Sequence, residues 1–249
     1  MTRIARFISF AAVVAVAAPV AAQAQAGKPT VAIMAFSNGS FGKDARDYDG
    51  LAKGIPAMLI TDMQANTNIR VIERDQVQAL VDEQKLVTGG QVDQATAVKI
   101  GKLLGVHHMI WGTFMTDPKG NFRVDARAVD VETGQIEHVD RVDDKADNIM
   151  SSIGALASKL NAGLKLPPMP AVRTGSTTPA PGATGAQQAG APAASPKLPM
   201  RVAVMYGKAL DAKDHGEKAK AVEYFNAVLK DFPTYEPAIK ERAGLSKGA

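Results

Sequence analysis

The stretch from residue 167 to residue 199 carries prolines at 167, 168, 170, 179, 181, 192, 196 and 199, with Ala, Gly, Ser and Thr between them and only Arg173 and Lys197 charged. Proline fixes φ and removes a backbone donor. A stretch with so few large apolar side chains cannot bury enough surface to offset the entropy of ordering it. It reads as a flexible linker. Whatever folds here is therefore expected in two parts, an α/β domain over residues 28–166 and a helical segment over residues 200–249.

The N-terminus has its own pattern. Arg3 and Arg6 precede an uncharged apolar run from Phe7 to Ala22, and Ala22-Gln23-Ala24 offers a small-x-small cleavage site. Residues 1–26 read as a secretory signal peptide, because the run is short for a transmembrane helix, which needs about 20 residues. The expected location is the periplasm, with association at the outer membrane left open. No later segment is long and apolar enough to span a bilayer as a helix. The chain has no cysteine, so disulfides, a thiol nucleophile, a thiolate metal site and a lipid-bearing cysteine are all excluded. The formal net charge of +4 falls further when Arg3 and Arg6 are removed, too mild a balance to suggest nucleic acid.

The first domain divides into short elements. Thr30–Phe36 is a buried-strand run, followed by a Gly/Asn/Ser loop. Leu51, Ile55, Leu59 and Met63 recur every four residues and predict a helix from Tyr48 to Ala65, with Pro56 tolerable near its start or at a kink. Ile69–Ile72 is a second short strand. A helix opening at Asp75 turns Val77, Leu80 and Val81 to one face, and Gly89-Gly90 breaks the chain. Asp93–Leu104 is a helix with Ala97, Ile100 and Leu104 inward and Gly105 as its C-terminal cap. His108–Met115, Phe122–Val131 and a strand ending near Val142 form a meander through turns at Asp117-Pro118-Lys119-Gly120 and Glu132-Thr133-Gly134. The change at Val129 and Val131 suggests a bulge. A last helix, Ala146–Leu164, carries Ile149, Ile153, Leu156 and Leu160. The order βαβααβββα predicts an α/β (α+β) fold: a mixed sheet with an antiparallel meander packed against helices.

Within this frame, Val71-Ile72-Glu73-Arg74-Asp75, Leu80, Glu83-Gln84, Leu86, Thr88-Gly89-Gly90, Ala97, Ile100-Gly101-Lys102-Leu103-Leu104-Gly105-Val106 and Ile110-Trp111-Gly112 stand at a spacing that resembles the core of the CsgG family. Val31-Ala32-Ile33 with Phe36, and Asp130-Val131-Glu132-Thr133-Gly134-Gln135-Ile136, fit the same pattern. The resemblance covers about residues 28–166. That family includes the curli export channel and related envelope proteins. The channel adds a lipidated cysteine and inserted hairpins that build a transmembrane barrel, and this chain has neither. The resemblance therefore implies the periplasmic, non-pore branch, which includes the penicillin-binding-protein activator type.

In the tail, Ala209, Gly216, Ala221, Phe225, Val228, Leu229 and Pro233 resemble one tetratricopeptide repeat, and Pro237 opens a capping helix. Met205, Lys208 and Ala212 replace the large residues of the fuller pattern. One repeat is too few to stack alone, so the unit either packs on a partner or is a hairpin of marginal stability.

Residues that could carry chemistry are few. Gly39-Ser40-Phe41-Gly42-Lys43 lies between a strand and a helix but lacks phosphate-loop spacing. His107 and His108 are adjacent on a strand and point to opposite faces, and His138 and His215 have no ligand spacing. Asp125, Asp130, Glu132, Asp140, Asp143 and Asp144 read as the solvated face of a one-sided sheet. Trp111 reads as core. No catalytic, metal-binding or cofactor-binding residue is assigned, no cofactor is expected, and the protein is not expected to be an enzyme. The candidate contacts are Glu73 and Arg74, at the corner where a strand becomes a helix, and Tyr224, Phe225 and Tyr235 in the tail. Arg74 has two readings: a partner contact, or an arginine packed on its own aliphatic stem beside a helix-start acid.

The expected function is that of a non-catalytic accessory or scaffold in cell-envelope assembly or export of extracellular products, acting by protein–protein contact. The alternative is a subunit of an outer-membrane curli-type secretion channel. Expected partners are envelope or secretion proteins, or further copies of the chain.

Overall fold

The computed structural model describes residues 27–85, 92–117, 119–168 and 198–247. The signal-peptide reading, the Gly89-Gly90 break and nearly all of the proline-rich stretch fall outside these residues. The strands are β1 (Thr30–Asn38), β2 (Arg70–Val71), β3 (His108–Thr116), β4 (Asn121–Asp130) and β5 (Ile136–Lys145). They form one sheet in the order β2-β1-β3-β4-β5. β1 runs parallel to β2 and β3, while β3, β4 and β5 form the antiparallel meander. The helices are α1 (Leu51–Gln64), α2 (Arg74–Gln84), α3 (Gln94–Leu104), α4 (Ile149–Gly163), α5 (Met200–Asp214), α6 (Lys218–Asp231) and α7 (Glu236–Lys247).

Each face of the sheet has its own cover. On one face, Val31, Ile33 and Phe36 of β1, Ile110 and Phe114 of β3 and Phe122, Val124, Ala126 and Ala128 of β4 pack beneath α1 and α4. The four-residue repeats supply the opposing layer: Leu51, Ile55, Leu59 and Met63 from α1, and Ile149, Ile153, Leu156 and Leu160 from α4, all fully buried. On the other face, Ala32, Met34, Met109 and Trp111 lie under Val77 of α2 and Ala97 and Ile100 of α3. Leu80 and Leu104 are only partly buried against this second layer, so the inward faces assigned to α2 and to the last turn of α3 are shallower than their spacing suggests. Asp93 caps α3 by accepting from the Thr96 N–H at 2.7 Å, and Gly105 closes it at φ 65°.

β4 keeps strict alternation to its end. Arg123, Asp125 and Arg127 share a face with Val129; they are polar where that face is open, and Val129 and Val131 are apolar where they join the layer under α3. A register shift does occur at Ala128/Val129, but the unpaired residue is in β5, since Ala128 faces His138 and Val129 faces Ile136. Part of the outer edge of β5 is occupied by side chains. Asp140 and Asp144 accept from the N–H groups of Arg141 and Lys145, and Lys159 of α4 donates to the Arg141 carbonyl. Such protection opposes pairing with a further strand.

The helices beyond the proline-rich stretch form the expected hairpin plus capping helix, and their inner faces join the first layer. Val202, Ala203, Tyr206, Ala209 and Leu210 belong to the same apolar cluster as α1 and the sheet. The C-terminal helices thus find a packing partner in this chain.

Candidate interaction site

The contact between α1 and α5 is built on small residues. A Cβ on Gly207 would collide with the Gly50 carbonyl, one on Gly50 with the Val204 carbonyl, and one on Gly54 would stand 3.0 Å from the Ala203 carbonyl. Backbones this close leave room for no side chain, so Gly50, which precedes α1, and Gly54 within it set the crossing with Ala203 and Gly207 of α5.

This approach brings the end of α5 to the corner between β2 and α2. Glu73 has extended geometry as the residue before α2, so Arg74 starts the helix and points into the junction. Its Nη1 donates to Asp214 Oδ2 at 2.8 Å, its Nη2 to Asp214 Oδ1 at 2.9 Å, and Nη2 also reaches Asp75. Lys53 of α1 adds bonds to Asp214 at 2.6 Å and Asp211 at 3.1 Å. Lys213 joins Asp75 of α2 to Glu241 of α7. Burial on its own would lower the Arg74 pKa; the bound Asp214 outweighs it and the net direction is upward. Burial likewise pushes Asp214 up, but Arg74 and Lys53 bring its carboxyl below the usual range. A bidentate, shielded pair with added donors is the strong form of ion pair.

An aromatic cluster lies beside this network. Tyr206 packs edge-on against Tyr235 at 5.2 Å between centroids and tilted against Phe225 at 6.1 Å. The Tyr235 hydroxyl is buried and has no hydrogen-bond partner among the described residues, and burial raises its pKa, with the Asp62 charge adding to the effect. Asp62, on α1, is itself pushed up to about 6 by burial.

The residues selected from sequence therefore separate. Arg74, Phe225 and Tyr235 are buried and engaged within the chain, so the contact Arg74 makes is with the chain's own α5. Glu73 is exposed and accepts from Gln64 Nε2 at 3.1 Å. Tyr224 is half-buried and lines a cavity of about 480 Å³, together with Tyr48, Met200, Val204, Met205 and Lys208. Sequence reasoning missed Asp214, Lys53, Lys213 and the glycine crossing. The four-residue spacing of Gly50/Gly54 and of Ala203/Gly207 was the available signal for the crossing.

The remaining candidates have local roles. Ser40 bridges to Thr116 through hydroxyl and amide contacts, and its own amide donates to Asn38 Oδ1, which ties the Gly39–Lys43 loop to β3. His107 Nδ1 contacts Thr30, and His108 Nδ1 lies 2.6 Å from Glu137. Arg123 pairs with Asp125 at 2.7 Å and Arg141 with Asp143 at 2.8 Å on the open face. Among the described residues, no group of three His, Asp or Glu is placed to hold a metal, and no helix is long and apolar enough to cross a membrane.

Fold and junction together define an α+β domain of parallel and antiparallel strands with a docked helical cap. The family model described as "Curli production assembly/transport component CsgG" matches residues 14–117, and over that stretch the chain is similar to the CsgG family. The match ends at the β3–β4 turn, short of the limit near residue 166 expected from sequence. No curated protein sequence matches the chain. Similar solved structures include the LpoB C-terminal domain from Salmonella enterica (11% identity, 48% of this chain and 84% of that one, TM-score 0.34). They also include the lipoprotein GNA1162 from Neisseria meningitidis (14%, 55% and 94%, 0.36) and a PelC dodecamer from Paraburkholderia phytofirmans (13%, 56% and 89%, 0.36). Likeness at this level carries no functional argument.

Proposed function

We propose that this protein is a non-catalytic CsgG-type accessory or scaffold of the periplasm, working in envelope assembly or export by protein–protein contact. The family match supports an envelope role. The observation that carries the choice of scaffold over channel is the meander. Phe122, Val124, Ala126 and Ala128 of β4 are at most 1% exposed beneath α1 and α4. Turning these strands into a membrane barrel would strip the domain of its larger apolar layer, which the smaller layer under α2 and α3 could not replace in a chain of this size. The open face of the same strands carries Arg123, Asp125 and Arg127, which suits water.

The partly occupied edge of β5 disfavours self-association by strand pairing there, and helix faces and the cavity near Tyr224 offer other contact surfaces. The test is to fractionate cells and size the complex. The protein is expected in the periplasmic or outer-membrane fraction, in an assembly larger than its own mass, and the purified chain should give no conductance in a planar bilayer. Stable single channels, lost on deletion of residues 108–142 in an otherwise folded variant, would restore the channel reading.

A further inference from the structure

Two cavities adjoin at the β3–β4 turn, sharing Thr116, Asp117 and Asn121. They differ in what their charges are doing. In the one over the open sheet face, of about 580 Å³, the charges are already engaged. Arg123 holds Asp125, Asp143 holds Arg141, Asp144 accepts from Asn148 and Ser152, and Lys145 donates to Asn121. A ligand there would have to displace internal bonds.

The other cavity lies between the 3-10 helix Ala45–Tyr48, the β3–β4 turn, α5 and α6. Its volume of about 480 Å³ is within the roughly 300–1,000 Å³ typical of ligand pockets. Met200, Val204 and Met205 supply an apolar wall, and methionine adapts to varied shapes. Here the polar groups are uncommitted. Lys208 has no hydrogen-bond or ion-pair partner among the described residues, and the Tyr48 and Tyr224 hydroxyls have no hydrogen-bond partner there. Asp117, by contrast, is consumed by the turn, accepting from the N–H groups of Lys119 and Asn121 and from the Asn121 side chain.

The charges are also unevenly placed. Arg201, exposed and in contact with Asp231 at 3.1 Å, stands with Lys208 on α5. Lys220 of α6 is held by Glu217 at 2.9 Å, which leaves Lys208 as the unpaired cation on the helical side among the described residues. Asp47 faces them from the opposite wall, exposed to solvent. The helical side therefore offers one ammonium and one phenol, both free to donate, next to an apolar surface.

We infer that this cavity docks a short segment of a partner protein in which an apolar side chain is flanked by a carboxylate. The apolar group lies on Met200, Val204 and Met205, and the carboxylate reaches Lys208 and the Tyr224 hydroxyl. Asp47 orients the segment by keeping its acidic end toward α5. The inference rests on the protein–protein reading above and gives the partner its chemistry.

The test uses the full chain and three pools of acetylated, amidated pentapeptides with a central leucine, flanked by acidic, neutral polar or basic residues. Methyl NMR signals of Met200, Met205 and Ala146 report binding. The acidic pool should shift them at concentrations at least about tenfold lower than the basic pool. Lys208→Glu should reverse that order. Tyr224→Phe, which keeps the ring, should weaken the acidic pool alone and so covers the case in which Lys208→Glu disturbs packing. No shift with any pool, or equal shifts with the neutral or basic pool, overturns the inference. If Lys208→Glu and Tyr224→Phe chains still elute in the large assembly from envelope extracts, this cavity is not the contact, although the scaffold reading stands. If the unaltered chain elutes alone, the scaffold reading itself falls, whatever the peptides do.

Discussion

The Arg74 guanidinium and the Asp214 carboxylate meet as a two-bond pair at 2.8 and 2.9 Å, joining the first residue of α2 to the last residue of α5. The residues are far apart in sequence, with the proline-rich stretch between them. Their pairing depends on α5 approaching α1 closely enough to bring its end to that corner. The ion pair therefore depends on the glycine crossing.

Removing one partner of a shielded pair leaves an uncompensated charge, which typically costs about 3–5 kcal/mol. Asp214→Ala leaves Arg74 with Asp75 and Lys53 with Asp211 as partners, so the loss in urea unfolding should fall at the low end of that range. Replacing both members, Arg74→Leu with Asp214→Leu, should cost less than either single change. A double variant as unstable as the sum of the singles would mean the two side chains do not interact.

Asp62 gives the junction a pH dependence of unusual sign. Its carboxyl is raised to about 6 by burial, above the 3.8 it would have unfolded. Between those values the folded state binds more protons, so this group's contribution to stability falls as pH rises and its penalty is complete above about pH 6. A shift of about two units corresponds to at most about 3 kcal/mol. Asp62→Asn should stabilise the protein at pH 8, and the gain should shrink steadily toward pH 5. A gain independent of pH would assign the effect to something other than ionisation. Asp214 acts in the opposite sense, because its lowered carboxyl gives stability that is lost as pH falls, so only the difference between variant and parent isolates Asp62.

The core offers a graded comparison. Ile100 is fully buried and Leu80 and Leu104 are partly so. Truncating a buried Ile or Leu to Ala costs about 2–5 kcal/mol. Ile100→Ala should fall in that range by thermal or urea unfolding, and Leu80→Ala and Leu104→Ala should fall below it. Equal losses at all three positions would show that the outer turns pack more tightly than the structure has them.

Much of the α/β part was legible because its signals are local. The repeats Leu51-Ile55-Leu59-Met63 and Ile149-Ile153-Leu156-Leu160 mark helix faces. Gly105, Gly120 and Gly134 all adopt positive φ where caps and turns were read. The bulge near Val129 was inferred from a change in composition along β4, yet the change reflects where α3 covers the sheet, and the unpaired residue belongs to β5. The junction was not legible. Nothing in the neighbourhood of Asp214 distinguishes it from other acids at helix ends, and its role exists only once Gly50, Gly54 and Gly207 permit the crossing. Arg74 stands out in the sequence as an unusual charge, but the partner it bonds is Asp214 of the same chain, which no local pattern could name.

Limited proteolysis separates composition from packing. The proline-rich residues offer a protease little that packing could protect, as their sequence implies. Cleavage is expected there, yielding two fragments on a denaturing gel. Because Val202, Ala203, Tyr206 and Leu210 share the core of α1, the fragments should remain together on a sizing column in native buffer. Fragments that separate freely would show two independent domains joined only by the linker.

The glycine crossing makes the sharpest claim. Gly207 and Gly244 both lie in the tail's helices, α5 and α7. Helix propensity alone predicts that alanine stabilises either position by about 0.5–1 kcal/mol. At Gly244 nothing among the described residues lies within 4 Å of the added Cβ, so that gain should appear as a small rise in melting temperature. At Gly207 the Cβ meets the Gly50 carbonyl and stands 3.0 Å from the Gly54 amide nitrogen. These contacts are backbone, which cannot swing aside as a side chain can. The helices must move apart, and with them the end of α5 leaves Arg74 and Lys53. Gly207→Ala should therefore destabilise by well over the propensity gain, and the nicked protein carrying it should fall into two pieces on the sizing column. If Gly207→Ala instead behaves like Gly244→Ala, α5 does not lie on α1 as described, and the ion pair of Arg74 with Asp214 goes with it.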